Sequence, residues 1–480
     1  MKLKHLFIPD YYILKDFNIN FTENLSVIIG ENGSGKSSII EVLAYIFGHL
    51  HKYFVLGDKT AEFIDNYEIE YDTMFNEKVY SIYIKSQYVN QKTNTFNPII
   101  KVNQQAYTIP QIDAEFGGFA NFLPSKVILY YSGVTEHLRQ LNDHFAVKYR
   151  NKLIKEGNQY TLTPLLLPAE NPFVYVGKEY LPILLVSLLL LDTPQALKLL
   201  KLLDFDFDGC ELSIILHRPE WAKTDWNELW GIRGSVSEAF IQLLAEHAIS
   251  TTYQERGKNN ERELVRFDFV GQVMIQDLFA NIDSAPKTAF SIFDMLLCSD
   301  LLHDINITWK KNQEQISIDR LSEGQKQLLL TWGTSMVWGE KNLLFLYDEP
   351  DVSLHPKWQR DFVPNFHMAL HQLSSAVITT HSPILLSNAA KVNVHIMHEG
   401  HRIEVTPKYY GRDISAILYE LMGVTSRIPE IEKKLTNLFK VIDQEDRQSA
   451  KEQYDELLAL LGENDKDLVY AKVLLDDLMY

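Results

Sequence analysis

Four short apolar runs stand far apart along the chain: Leu25–Ile29, Val127–Tyr131, Asn342–Tyr347 and Ala376–Thr380. Each is short for a helix and lacks the alternation of a half-exposed strand. Strands of a parallel sheet read this way when both faces are covered. Tyr67–Tyr71 and Val79–Ile84 instead alternate with period two, which predicts an antiparallel sheet layered on the first. After Ser37, apolar Ile40, Val42, Leu43, Ile46 and Phe47 recur at helical spacing, and Gly48 is the expected stop.

A long stretch of mixed pattern separates the second and third runs. It opens at Asn171-Pro172 and includes Leu181–Leu191, eleven apolar-rich residues with Pro182 among them. A membrane span needs roughly 20 residues, so this run predicts a buried helix. Glu211–Leu216 reads as a strand, followed by helices to about Leu302. Ile305–Trp309 and Ile316–Ile318 flank Lys310-Lys311-Asn312 as a hairpin. From Pro429 the chain turns acid-rich, with Ile431, Leu435, Leu438 and Ile442 at helical spacing. Two more helical stretches follow, Tyr454–Leu461 and Leu468–Leu478, separated by Gly462-Glu463-Asn464. Such a bundle packs on its own core or offers a surface to a partner.

Chemistry concentrates at the ends of the apolar runs. The first runs into Gly30-Glu31-Asn32-Gly33-Ser34-Gly35-Lys36-Ser37-Ser38, which satisfies G-x-x-x-x-G-K-[ST] between a strand and a helix. Glycines let backbone N–H groups face phosphate, and the helix start adds partial positive charge. Lys36 is then placed for the β- and γ-phosphates of a nucleoside triphosphate, and Ser37 for Mg²⁺. The third run ends in Asp348-Glu349-Pro350-Asp351, an acidic pair where parallel sheets bind ligands. Asp348 is expected to bind Mg²⁺ and Glu349 to polarise an attacking water. The fourth run ends at His381, read as a sensor that bridges the γ-phosphate, the water and Glu349. A solvated turn is the plain alternative for each strand end, and the complete phosphate loop outweighs it.

Leu321-Ser322-Glu323-Gly324-Gln325 and Ser353-Leu354-His355-Pro356 complete a set that, in this order, resembles the ABC-type ATPases. The resemblance implies an α/β P-loop NTPase head of the ABC type, a mixed sheet flanked by helices. To it are added a compact, mostly helical insert lobe and a helical C-terminal tail. It also implies a head-to-tail homodimer or higher homo-oligomer, in which Ser322, Gly324 and Gln325 of one copy close on ATP held by the other. Ser353–Pro356 would touch the partner subunit, with His355 an interface or packing residue. Glu323 departs from the Gly of transporter members. The glutamine loop is not settled: Gln87, Gln104, Gln105 and Gln111 are candidates, and Tyr131-Ser132-Gly133 falls in the neighbouring position.

The stretch from Lys36 to Ser322 is longer than transporter ATPases leave there. It is shorter than the arms of SMC-type proteins and shows no sustained heptads. A compact lobe in this place is similar to RecF-like and OLD-like ATPases, and to ATPase subunits of anti-phage systems such as Septu and PARIS. The segments Met1–Leu6 and Phe17–Phe21 are also similar to this group. The expected layout is a first core half over 1–160, the insert over 161–304, a second core half over 305–425 and the tail over 426–480. Unlike OLD-family nucleases, the stretch after His381 shows no Toprim pattern; Asp465-Lys466-Asp467 reads as a solvated turn. A nuclease effector is therefore expected as a separate subunit under ATP control. The competing expectation is a RecF-like repair ATPase that clamps DNA.

Composition narrows the setting. The apolar fraction of 46% fits a globular chain of 480 residues with ample core. Cys210 and Cys298, the only two cysteines, argue for a reducing compartment, both buried and inert. With no signal-like or spanning segment, the expected location is cytoplasmic, away from membranes. A formal charge of −17 speaks against broad coating of nucleic acid and leaves room for a local groove. Lys148, Arg150, Lys152 and Lys155, then Arg256, Lys258, Arg262 and Arg266, are the candidates for one.

Overall fold

All four apolar runs come together in one seven-stranded sheet. In the computed structural model its order is His401–Ile403, Asn393–His398, Leu25–Gly30, Ser375–Thr380, Leu343–Asp348, Lys126–Tyr131, Phe173–Tyr175. Every neighbouring pair is parallel except the first, which is an antiparallel hairpin. The three strands from Leu25 through Asp348 are buried at every position, as unbroken apolar runs require. The structure describes residues 1–58, 66–86, 98–133, 136–156, 171–207, 209–255, 263–282, 285–311, 314–403, 409–422 and 427–478. They form two compact units, Met1–Tyr410 and Gly411–Tyr480.

The first unit holds two more sheets. A six-stranded antiparallel sheet runs Leu14–Asn20, Lys2–Tyr11, Glu68–Phe75, Lys78–Lys85, Ile99–Val102, Gln105–Tyr107. Its inward residues, among them Leu6, Ile69 and Ile84, share one core with Leu43 and Phe47 of the Lys36–Phe54 helix and Val127 and Leu344 of the large sheet. Two of its hairpins turn on two residues each, Asn76-Glu77 and Asn103-Gln104, all four with φ between 47° and 68°. Mirror-image turns of this kind match the twist of the flanking strands. The Lys36–Phe54 helix passes straight through Gly48, the expected stop. Leu50, His49 and His51 beyond it are buried, and that packing outweighs the roughly 1 kcal/mol a mid-helix glycine costs.

The insert contains the expected helices, including the buried Leu181–Leu188. It also contains a five-stranded antiparallel sheet in the order Ser250–Gln254, Leu264–Val270, Glu211–His217, Leu302–Lys311, Glu314–Ser317. The sequence pattern predicts the Glu211 strand and the final hairpin, and places the other two strands in helical territory. Leu264–Val270 does alternate, burying Val265, Phe267 and Phe269. Ser250–Gln254 is exposed at all five positions and carries no apolar signal.

In the second unit, helices Pro429–Asp443, Arg447–Leu461 and Lys466–Leu478 pack around Leu435, Leu438, Ile442, Leu457 and Leu468. Asp465 and Asp467 are not a free turn: both bind the Arg427 guanidinium, and both Asp465 carboxylate oxygens accept from Nη2 at 2.8 Å. Among the described residues, no helix is long and apolar enough to cross a membrane.

Candidate functional site

Strand register builds the site. Asp348 lies opposite Thr379 on one side and Tyr131 on the other, and Thr380 lies opposite Ile29. The carboxyl ends of four parallel strands therefore deliver Gly30, His381, Asp348-Glu349 and Ser132 to one edge. Side chains close the gap. Ser37 Oγ donates to Asp348 Oδ2 at 3.1 Å, and Thr379 Oγ1 donates to Asp348 Oδ1 at 2.6 Å. His381 stands between the two halves, with Nδ1 3.3 Å from Lys36 Nζ and Nε2 in contact with Glu349 Oε1. The acid pair, the histidine and the phosphate-loop lysine thus form one connected group.

The group is poised for an anion. The Lys36–Phe54 helix begins at Gly35 with no side-chain cap and no acid in its first turn, so its first N–H groups face outward. Gly35 needs its φ of 96°, and a Cβ there would meet Leu14 and Ile13 at 2.9 and 3.0 Å. Ser34 Oγ is buried and has no hydrogen-bond partner among the described residues; a phosphate oxygen would satisfy it. Lys36 Nζ donates to the carbonyls of Gly30 and Glu31 at 2.9 and 2.8 Å. Burial pushes the Lys36 ammonium down from its ordinary value, opposed by Glu349 and Asp348. Burial pushes the Asp348 carboxyl up, opposed by its hydrogen bonds to Thr379 and Ser37. Each charge of opposite sign nearby offsets the cost that burial sets. Asn32 and Gly33 are exposed on the loop, and Ser38 follows Ser37 in the first turn. A hydroxyl and a carboxylate already in contact are a fitting oxygen pair for Mg²⁺.

Ser322, Gly324 and Gln325 are held by contacts of their own. Ser322 and Gln325 cap the start of the Glu323–Leu328 helix reciprocally, and Gln325 Nε2 also donates to Leu202 O at 2.9 Å. Gly324 has the carbonyl of Ser353 so close that a Cβ would lie 2.7 Å from it. Glu323 is exposed and paired with Lys326, which holds its carboxyl below the usual range. His355 caps the Pro356–Ala369 helix through Nδ1.

Of the glutamine candidates, Gln104 sits in a hairpin turn, Gln105 begins the Gln105–Tyr107 strand, and Gln111 caps the Ile109–Phe116 helix. Gln87 lies outside the described residues. The segment beside Asp348 is Ser132, whose N–H reaches Asp348 O at 3.3 Å. In the basic clusters, Lys148 pairs with Asp58, Arg150 is half-buried, and Arg266 is held by Asp268 and Ser213. The Lys152 and Lys155 side chains and Arg256, Lys258 and Arg262 lie outside the described residues. Cys210 is buried with its thiol on Phe207 O, and burial pushes the Cys298 thiol up.

Three residues to which the sequence assigns no role stand out in the structure. Tyr12 is 72% exposed on the turn whose next residues pack on Gly35. Its neighbour Tyr11 supports it edge-on at 4.7 Å. Asp351 is buried and accepts from Thr380 Oγ1 at 2.8 Å. Gln327 is buried one turn beyond Ser322 and hydrogen-bonds across to Glu349 and Ser353. An aromatic pair upstream of the loop was visible; the two buried polar groups had no signal without the packing.

Comparison with known proteins gives the wider context. Residues 2–404 match the family described as RecF/RecN/SMC N terminal domain. A stretch of 131 residues is 27% identical to the Retron Ec83 probable ATPase of Escherichia coli, covering 25% of this chain and 24% of that protein. Another of 162 residues is 28% identical to the Retron Vc95 probable ATPase of Vibrio cholerae serotype O1 biovar El Tor, covering 32% and 30%. The chain thus spans under a third of the length of these two curated relatives. The SMC head domain from Thermotoga maritima shares 12% identity over 84% of this chain and 100% of its own, with a TM-score of 0.32. The recombination mediator protein RecF with ATPrS shares 15% over 83% and 97%, with a TM-score of 0.31. With the phosphate loop, the acidic strand end and the histidine joined in one site and the match running through most of the sequence, the chain belongs to the RecF/RecN/SMC family of ABC-type ATPases.

Proposed function

We propose that this chain binds and hydrolyses ATP as the sensor subunit of a bacterial anti-phage defence complex. ATP-dependent dimerisation, or higher oligomerisation, would control a separate nuclease effector. The observation that carries the enzymatic part is the contact chain Lys36–His381–Glu349 beside Ser37–Asp348. Support for the biological part is the compact insert in place of a coiled-coil arm, and the likeness to two proteins named as retron ATPases.

In this reading the N–H groups at the start of the Lys36–Phe54 helix hold the phosphates. Lys36 exchanges the Gly30 and Glu31 carbonyls for β- and γ-phosphate oxygens. Ser37 and Asp348 hold Mg²⁺, which when bound offsets phosphate charge. The exposed Tyr12 ring offers a face to the base. Glu349 accepts a hydrogen bond from water as it attacks the γ-phosphorus, and the bond to the β-phosphate oxygen breaks to release ADP and phosphate. His381 orients Glu349 through Nε2. Ser322, Gly324 and Gln325 of a second copy would close over the γ-phosphate from the other side.

The test is Glu349→Gln. It should bind ATP like the parent, hydrolyse it roughly a hundredfold or more slowly, and accumulate as an ATP-dependent dimer on size exclusion. Hydrolysis at the parental rate would remove Glu349 from its role. A nuclease retained in stoichiometric amount on the purified complex is the expected result for the defence reading. Chromosomal DNA or repair proteins in its place would favour a DNA clamp.

A further inference from the structure

Gln327 stands at the crossing of three segments. It lies on the helix capped by Ser322, two residues beyond the end of the motif expected to close on a partner's ATP. Its side chain faces inward and is 5% exposed. Nε2 donates to the backbone carbonyl of Glu349 at 3.2 Å, and Oε1 accepts the N–H of Ser353 at 2.9 Å. One partner is an acceptor and the other a donor, so the amide orientation is fixed and both of its ends are filled.

The carbonyl it grips belongs to a strained residue. Glu349 has φ of 49°, a left-handed conformation that a residue with a Cβ enters at a cost. Such a conformation persists only when its surroundings hold it. Thr379 holds the N–H side through its carbonyl and Oγ1, at 3.2 and 3.1 Å. Gln327 holds the carbonyl side. The direction of the Glu349 carboxylate toward His381 follows from that backbone.

The helix is also built to transmit displacement. Gly324 rests directly on Ser353 O. Beyond Leu328 the helix loosens into a π-turn, Leu329–Gly333. Tyr347, on the strand that ends in the acid pair, donates its hydroxyl to Thr331 O at 3.2 Å within that turn. The motif helix thus touches the acidic strand and its following turn at Tyr347, Glu349 and Ser353. π-turns of this kind recur where a helix serves function.

We propose that Gln327 is a positioning residue that ties the motif helix to the strained turn at Glu349, so that closure of Ser322–Gly324 on a partner's ATP aligns the Glu349 of the same protomer. The proposal rests on the dimeric ATPase reading above. It makes Gln327 serve the site opposite to the one its own motif completes. A residue that merely kept the motif in shape would serve the partner's site instead.

Mixed dimers separate the two roles. One protomer carries Glu349→Gln, leaving a single competent Glu349, and two affinity tags isolate the mixed species. Gln327→Leu, or Gln327→Glu, is then placed in either protomer. Glu keeps an acceptor for Ser353 and loses the donor to Glu349. The expected result is a fall in kcat of roughly tenfold or more when the change shares a protomer with the intact Glu349. When it sits in the Glu349→Gln protomer, the fall is smaller than about twofold. ATP affinity and dimer formation stay near parental in both arrangements, and circular dichroism checks folding. Equal loss in both arrangements, loss confined to the Glu349→Gln protomer, or no loss overturns the proposal. A parental chain that hydrolyses ATP while remaining monomeric in its presence overturns the dimeric reading itself, and this inference with it.

Discussion

Asp351 shows how much the acidic turn asks of single residues. Burial pushes its carboxyl up to about 7, with the Thr380 hydroxyl pulling it down and Glu349 adding to the rise. One oxygen, Oδ1, has no hydrogen-bond partner among the described residues. Unfolded, the group titrates near 3.8. Its contribution to stability is therefore complete below about pH 4 and is lost as the pH rises through about 7. Asp351→Asn never ionises and escapes that loss. Its melting temperature relative to the parent should climb between pH 5 and pH 8, an effect on the order of a few kcal/mol. A difference that stays flat or shrinks over that range would show that Asp351 is not held neutral. Buried carboxyls like this one leave no mark in a sequence, because Asp after Glu-Pro reads equally well as a solvated turn.

At the scale of elements, legibility followed the strength of the apolar pattern. The four strands that carry the site were unmistakable, since burial on both faces demands unbroken apolar runs. Ser250–Gln254 could not have been found: it pairs as an edge strand with nothing buried. Leu264–Val270 was missed although it alternates, because a strand between helical stretches was not expected there. The tail helix Arg447–Leu461 starts seven residues before its apolar signal at Tyr454, where Asp446 caps it through Ser449 N. In that bundle Leu438 is fully buried and central. Leu438→Ala should cost about 2–5 kcal/mol of the tail's stability. Hydrogen exchange should then rise across Pro429–Leu478 while Leu343–Asp348 keeps its protection. Exchange unchanged in the tail would mean that its core lies elsewhere.

For the whole molecule, ligand binding and stability are linked. A nucleotide that binds only the folded chain at a hundred times its Kd adds about 2.7 kcal/mol. ATP with Mg²⁺ should therefore raise the parental melting temperature in a concentration-dependent way, and Lys36→Ala should abolish the rise. An equal shift in that variant would place the nucleotide elsewhere. The family and the phosphate loop were legible because each motif is contiguous and the motifs keep a fixed order along the chain. The link between Gln327 and Glu349 was not, since it spans segments that only tertiary packing brings together.

The strand order of the large sheet also sets a timetable for making the protein. Leu25–Gly30 has Ser375–Thr380 on one side and Asn393–His398 on the other. Both neighbours are translated hundreds of residues after it. A ribosome therefore releases the phosphate loop early on an apolar strand with neither edge paired. Pairing of such distant segments is slow, and an exposed strand edge invites association with other chains. Until about residue 398 has emerged, the nascent chain carries its phosphate-loop sequence on a strand without its two sheet neighbours, and prompt synthesis or a chaperone would shorten that exposure.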